Sequence, residues 1–308
     1  MADNIWFWVA FNAFVLVLLA LDLGVFHRTA HEVSVREAAA WSAFWISLAL
    51  VFNGVLYLWQ GSEVALQFLT GYLIEKSLSI DNIFVFVLIF GALGVPKMYQ
   101  HRVLFWGIVS ALVLRGAMIG LGAVLIQRFH WLLYVFGAFL IGTGIKMAFQ
   151  KARKLDPEMS LVVRLARRVV PVSSGYDGQH FLTRINGRRA VTPLFLALLL
   201  VEVTDLIFAV DSIPAIFAVT TDPFLVYTSN VMAILGLRSL YFLLAGVVDR
   251  FHLLKLGLAL VLVFVGTKMV VADVFKVPTA LSLGVIAVLI GGSVAASLAF
   301  PKREPTAA

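Results

Sequence analysis

The chain is 308 residues long, 61% apolar by residue count, with a mean hydropathy of +0.98 and a formal net charge of +7. Soluble domains run nearer about 45–50% apolar, so the composition excludes a single water-soluble core and demands bilayer-length segments. It contains no cysteine, which excludes disulfides and thiolate-bound metals.

A membrane-spanning helix needs about 20 mostly apolar residues. About nine stretches meet that length: 5–26, 37–59, 64–90, 103–126, 131–149, 191–218, 229–249, 253–273 and 278–300. The sequence therefore predicts an all-α, polytopic membrane protein. Its start, Met1-Ala2-Asp3-Asn4, lacks a basic leader, so the first span reads as retained rather than as a cleaved signal. Asp22 lies near the end of that span and suits a gating or structural role. Trp6, Trp8, Trp41, Trp45 and Trp59 read as interface anchors and lipid-facing packing.

The third span contains Glu75, Asp81 and Asn82, the fourth Arg115 and the fifth Lys146. A long loop, 150–190, follows with nine Lys or Arg against three Asp or Glu, nearly the whole chain's +7. Its natural partner is the anionic headgroup layer; no aromatic-interleaved basic surface accompanies it, so nucleic acid is not an expected partner. Within the loop, 158–170 reads as a short interfacial helix, and Asn186-Gly187 as the turn of a small hairpin. The sixth span contains Glu202, Asp205, Asp211, Ser212 and Pro214, the seventh Arg238 and the eighth Lys268. Basic residues concentrate on one set of loops, which predicts an outside N-terminus and a cytoplasmic C-terminus.

Two parts of the chain echo each other. Asp205 follows Glu75 by 130 positions, and Asp211 follows Asp81 by the same offset. Leu237-Arg238 echoes Leu114-Arg115, and Gly266-Thr267-Lys268-Met269 echoes Gly144-Ile145-Lys146-Met147. The reading is two three-helix repeats, 64–149 and 191–273, inverted because each has an odd number of spans. Segments 1–63 and 274–308 lie outside the repeats, and the basic loop joins them. Inverted repeats of this kind place a transport site at mid-membrane.

Five acids in two helices would cost roughly 12–18 kcal/mol if they were buried unpaired. Basic partners, a bound cation or protons must offset that cost. The partners on hand are Arg115, Arg238, Lys146 and Lys268, which leaves an acid over. Acids six apart diverge by about 240° around a helix, so convergence requires two helices or a break. Pro214, which removes the bond to the carbonyl of Val210, predicts a kink near 210–214. Glu75, Asp81, Asn82, Glu202, Asp205 and Asp211, helped by Ser212, Thr204 and backbone carbonyls, then form an all-oxygen site. Such a set suits hard cations such as Mn²⁺, Mg²⁺ or Ca²⁺. All six histidines sit at span ends or in loops. No cofactor is expected to be permanently bound, and no nucleophile–His pair or metal-protease motif in the spans suggests an enzyme.

The stretches Gly71-Tyr-Leu-Ile-Glu75-Lys-Ser-Leu-Ser-Ile-Asp81-Asn82 and Val201-Glu202-Val-Thr-Asp205-Leu-Ile-Phe-Ala-Val-Asp211-Ser212-Ile-Pro214 resemble the TerC family. With Thr220-Thr-Asp-Pro-Phe, Ile234-Leu-Gly-Leu-Arg238 and Tyr241-Phe-Leu-Leu-Ala-Gly246 the likeness is greatest to its Alx branch and covers nearly the whole chain. The resemblance implies a bacterial inner-membrane protein linked to Mn²⁺ export, with Glu75, Asp81, Glu202, Asp205 and Asp211 as its transport residues. The family has also been tied to tellurium resistance, alkaline pH response and Mn²⁺ supply to exported proteins. Alternatives are an oxyanion-resistance component working through Arg115 and Arg238, or a non-transporting adaptor that recruits partners with its basic loop.

Overall fold

The computed structural model describes residues 5–21, 33–129, 131–149, 161–185, 187–245, 251–275 and 277–300. Asp22, the first part of the basic loop (150–160), Asn186 and the C-terminal tail lie outside the described residues. The elements in chain order are α1 (Ile5–Leu21), α2 (Val35–Gln60), α3 (Ser62–Leu93), α4 (Lys97–Arg128), α5 (Leu132–Phe149), α6 (Leu161–Val169), β1 (Leu182–Ile185), β2 (Arg188–Val191), α7 (Pro193–Phe217), α8 (Pro223–Leu235), α9 (Leu237–Leu244), α10 (Leu254–Val270) and α11 (Thr279–Ala299). Six of them, α2–α5, α7 and α11, are long and apolar enough to cross a membrane, and shorter apolar helices accompany them. The chain is thus an all-α, multi-pass membrane protein.

Local chemistry sets most of the helix ends. Ser34 caps α2 by accepting from Glu37 N at 3.2 Å, the Ser-x-x-Glu pattern of a capping box. Gly61, at φ 89°, turns the chain directly into α3, a conformation open to glycine because no Cβ clashes. Gly94 closes α3 in the left-handed region, and Val95 N returns to Phe90 O at 2.9 Å. Asp222 caps α8 by accepting from Phe224 N at 2.8 Å, with Pro223 in the first turn, where its missing N–H costs nothing.

Two sequence expectations need correction. Helix α7 runs unbroken through Pro214, and Ala218 N bonds to Pro214 O at 3.0 Å, so the loss of one bond does not interrupt it. The break lies elsewhere. The expected span 229–249 is two helices, α8 and α9, separated at Gly236.

The interior is built where α3 and α7 meet, with α4 packed against α7, and α8 against α3 and α4. Helix α1 joins this core through aromatic side chains: Trp8 lies edge-on to Phe224 with centroids 5.3 Å apart, and Tyr227 donates to Asn12 Oδ1 at 2.7 Å. Trp45 is buried rather than lipid-facing, whereas Trp6 is 72% exposed. The outer surface presents many exposed large apolar side chains, Leu58, Val113 and Val288 among them, as a lipid-facing wall should.

Helices α5 and α10 approach backbone to backbone. A Cβ on Gly137 would meet Gly266 O at 2.8 Å, and one on Gly144 would meet Ala259 O at 2.7 Å. The pairing falls along one helix as it rises along the other, so the two are antiparallel. Adding 122 to Gly137 and Gly144 gives Ala259 and Gly266, so the repeat offset read from the sequence exchanges the two contacts. Gly266→Val is expected to destabilise the fold by about 1–3 kcal/mol, because the obstacles are backbone atoms of α5. The check is the thermal midpoint of purified protein, with Gly142→Ala, whose Cβ meets nothing within 4 Å, as the control that should not lose stability.

Of the basic loop, α6 packs on α7 through buried Val163 and leaves Leu165, Val169, Arg164 and Arg168 exposed. Strands β1 and β2 form an antiparallel hairpin in the register Leu182↔Val191 to Ile185↔Arg188, with Gly187 at φ 78° in the turn. Tyr176 donates to Leu93 O at 2.8 Å and ties this region to the end of α3.

Candidate functional site

A buried arginine organises the place where α3 and α7 meet. Arg115 on α4 is 1% exposed, Glu75 on α3 1% and Asp205 on α7 4%. The guanidinium grips Asp205 with both faces of its fork, Nε to Oδ2 at 3.1 Å and Nη2 to Oδ1 at 2.7 Å. Its Nη1 pairs with the Glu75 carboxylate. Planar bidentate pairing is what guanidinium does better than ammonium. The remaining lone pairs are also served: Asn230 Nδ2 donates to Glu75 Oε2 at 3.0 Å, and Asn82 Nδ2 to Asp205 Oδ1 at 3.5 Å. Arg115 further reaches Ser212 Oγ and Asn230 Oδ1, at 3.5 and 3.4 Å. Two carboxylates around one guanidinium leave this group one negative charge in excess.

Glu202 lies one turn before Asp205 and is half-buried. Ser110 donates to its Oε1, while its buried Oε2 has no hydrogen-bond partner among the described residues. Arg238, at the start of α9, lines a narrow gap with Asp205, walled by Phe86, Leu104, Ile108 and Val201.

Asp81 and Asp211 form a second group. Each follows its partner acid by six positions, so each points about 240° away from it. They are half-buried, and Asp211 is the weakest of the electrostatic influences on Asp81. Asp81 faces Lys255; Asp211 has the Thr143 hydroxyl as a hydrogen-bond partner and Lys146 nearby. Their neighbours Asn82 and Ser212, a further 100° around each helix, turn into the Arg115 group instead.

The six expected ligands therefore do not meet at one point. Glu75, Asn82 and Asp205 surround Arg115 with Glu202 beside them, and Asp81 and Asp211 stand apart. Among the described residues no three His, Cys, Asp or Glu side chains converge as a metal-holding set. Lys268 has Glu63, at the first turn of α3, as its electrostatic neighbour. Sequence reasoning passed over Asn230, Ser110, Thr143 and Lys76. Each is a polar residue within an apolar run, which was the available signal; none repeats between the two halves.

The chain matches the model of the family described as "Integral membrane protein TerC family" over residues 60–305. It is 60% identical over 299 residues to an uncharacterized membrane protein of Myxococcus xanthus, covering 97% of this chain and 94% of that protein. It is 50% identical over 288 residues to the "Putative membrane-bound redox modulator Alx" of Salmonella typhi, covering 91% of this chain and 89% of that protein. The protein of the same description from Escherichia coli is also 50% identical over 288 residues, with 91% and 90% covered. No solved structure matches.

Proposed function

The chain belongs to the TerC family of integral membrane proteins, and from that premise we propose that it is a secondary transporter exporting a hard divalent cation, with Mn²⁺ as cargo. The observation that carries this reading is the Asp81–Asp211 pair. Two half-buried carboxylates stand at matching positions of two matching helices, outside the closed Arg115 group. Their joint charge of −2 matches a divalent ion. Manganese takes about six oxygen ligands, so water and hydroxyls such as that of Thr143 complete the shell. Few protein ligands suit a site that must release its ion.

The exchanged contacts of α5 and α10 support the inverted repeat that such a carrier uses for alternating access. Proton or potential coupling follows from carboxylates whose protonation is linked to access. We place the chain in the inner membrane, N-terminus outside, with its basic loop against cytoplasmic headgroups. Without cysteine, an influence on redox state of the kind named for its relatives would run through a redox-active metal ion rather than through dithiol exchange. The oxyanion reading is disfavoured because Arg115, its main ligand, is already held by two carboxylates.

The test is reconstitution into vesicles with a panel of divalent cations and an internal pH dye. Saturable Mn²⁺ flux with a linked pH or potential response is expected. Vesicles that move no divalent cation, or move tellurite instead, would overturn the proposal.

A further inference from the structure

The break between α8 and α9 holds a cation already. In a continuous helix Leu237 N would bond to Ala233 O, but at Gly236 the chain leaves the helix (φ −86°, ψ 4°) and Gly236 N turns to Ile234 O. No backbone amide among the described residues takes Ala233 O across the break. Its partner is Lys76 of α3, whose Nζ donates to it at 3.2 Å. The site is tightly enclosed. A Cβ on Gly236 would lie 2.9 Å from Lys76 Nζ and 3.0 Å from Cβ of the buried Trp45. Glycine is needed here for space, since its φ is open to any residue. Lys76 follows Glu75 directly, and lies about midway along the 32-residue α3, so the ammonium sits deep between the ends of the span.

Three physical facts converge on this position. A helix C-terminus carries roughly half a negative charge. A lysine within the bilayer costs about 2.5–3.5 kcal/mol unless it has a partner. Broken helices in transporters present freed carbonyls and half-helix C-termini to Na⁺ or H⁺. We propose that the α8–α9 break is a monovalent-cation seat and that the Lys76 ammonium is its tethered occupant, standing where an ion-coupled carrier would bind sodium. The protein thereby supplies its own cation, and its cycle runs without sodium. Asn230, one turn upstream on α8, bonds to Glu75, so the seat and the Arg115 group share two helices.

The experiment replaces the tether. Lys76→Met keeps the chain length and removes the charge, while Lys76→Arg keeps a cation in place. Thermal midpoints of the purified proteins are compared in sodium chloride and in choline chloride at equal ionic strength. Sodium is expected to raise the midpoint of Lys76→Met by several degrees, because a ligand that binds only the folded state stabilises it by mass action. The wild type and Lys76→Arg should show no difference between the two salts. A folded Lys76→Met that ignores sodium overturns the proposal, as does a wild type that responds to it. If the methionine variant is not recovered folded, Lys76→Gln is judged by the same criterion. A flux arm rests on the transport reading: Mn²⁺ movement by the wild type should be equal in the two salts, and that of Lys76→Met should rise with sodium. The midpoint arm needs no transport, so failure of the carrier proposal and failure of the seat remain separate results.

Discussion

Replacing Arg115 by methionine is expected to cost the fold about 3–5 kcal/mol, the usual penalty for removing one partner of a buried ion pair. The magnitude follows from what remains. Glu75 and Asp205, 1% and 4% exposed, would face one another with only Asn230 and Asn82, among the described residues, still donating to them. Loss of monodisperse protein on size exclusion after heating gives the measure. The informative companion is the triple variant Arg115→Met, Glu75→Gln, Asp205→Asn. Replacing a whole buried charged group is often neutral, so the triple variant should regain most of the loss. An Arg115→Met protein as stable as the wild type would mean that the guanidinium does not hold α3, α4 and α7 together.

That expectation rests on a split between the acids that helical geometry already contained. Six residues are 1.67 turns, so Glu75 and Asp81 could not face one partner on a regular α3, nor Asp205 and Asp211 on a regular α7. Pro214 offered a way around this through a kink. Its effect stays confined to the bond lost at Val210, because α7 resumes its bonding at Ala218 and ends within a turn. The spans themselves were legible because hydropathy alone defines them, and the caps at Ser34 and Asp222 are local chemistry. Gly236 was not legible. Hydropathy runs smoothly through Ile234-Leu235-Gly236-Leu237, and the reason for the glycine lies across the fold at Lys76 and Trp45. The same holds for Lys268, whose recurrence beside Lys146 suggested a shared role. Its neighbour is Glu63, whereas Lys146 lies by Asp211, because the first turn of α3 and the last third of α7 offer different charges.

Asp211→Asn is expected to reduce Mn²⁺ flux to the level of empty vesicles while leaving insertion and thermal midpoint near those of the wild type, and Asp81→Asn to do the same. The contrast with Arg115→Met is the substance of the prediction. Asparagine keeps the size of aspartate and retains an oxygen to accept from Thr143, so the local bonding survives. What changes is charge. On the carrier reading, a divalent ion held by both carboxylates would meet twice the charge that either offers alone. One aspartate alone cannot outbid the ion's own hydration shell by the same margin, since the attraction of a divalent ion scales with the charge it meets. Removing one charge should therefore abolish transport by removing the reason for the ion to enter, with the scaffold of Arg115, Glu75 and Asp205 untouched. Wild-type Mn²⁺ flux in vesicles containing Asp211→Asn would move the carrier site away from this pair, with Glu202, whose Oε2 has no hydrogen-bond partner among the described residues, the next carboxylate to test.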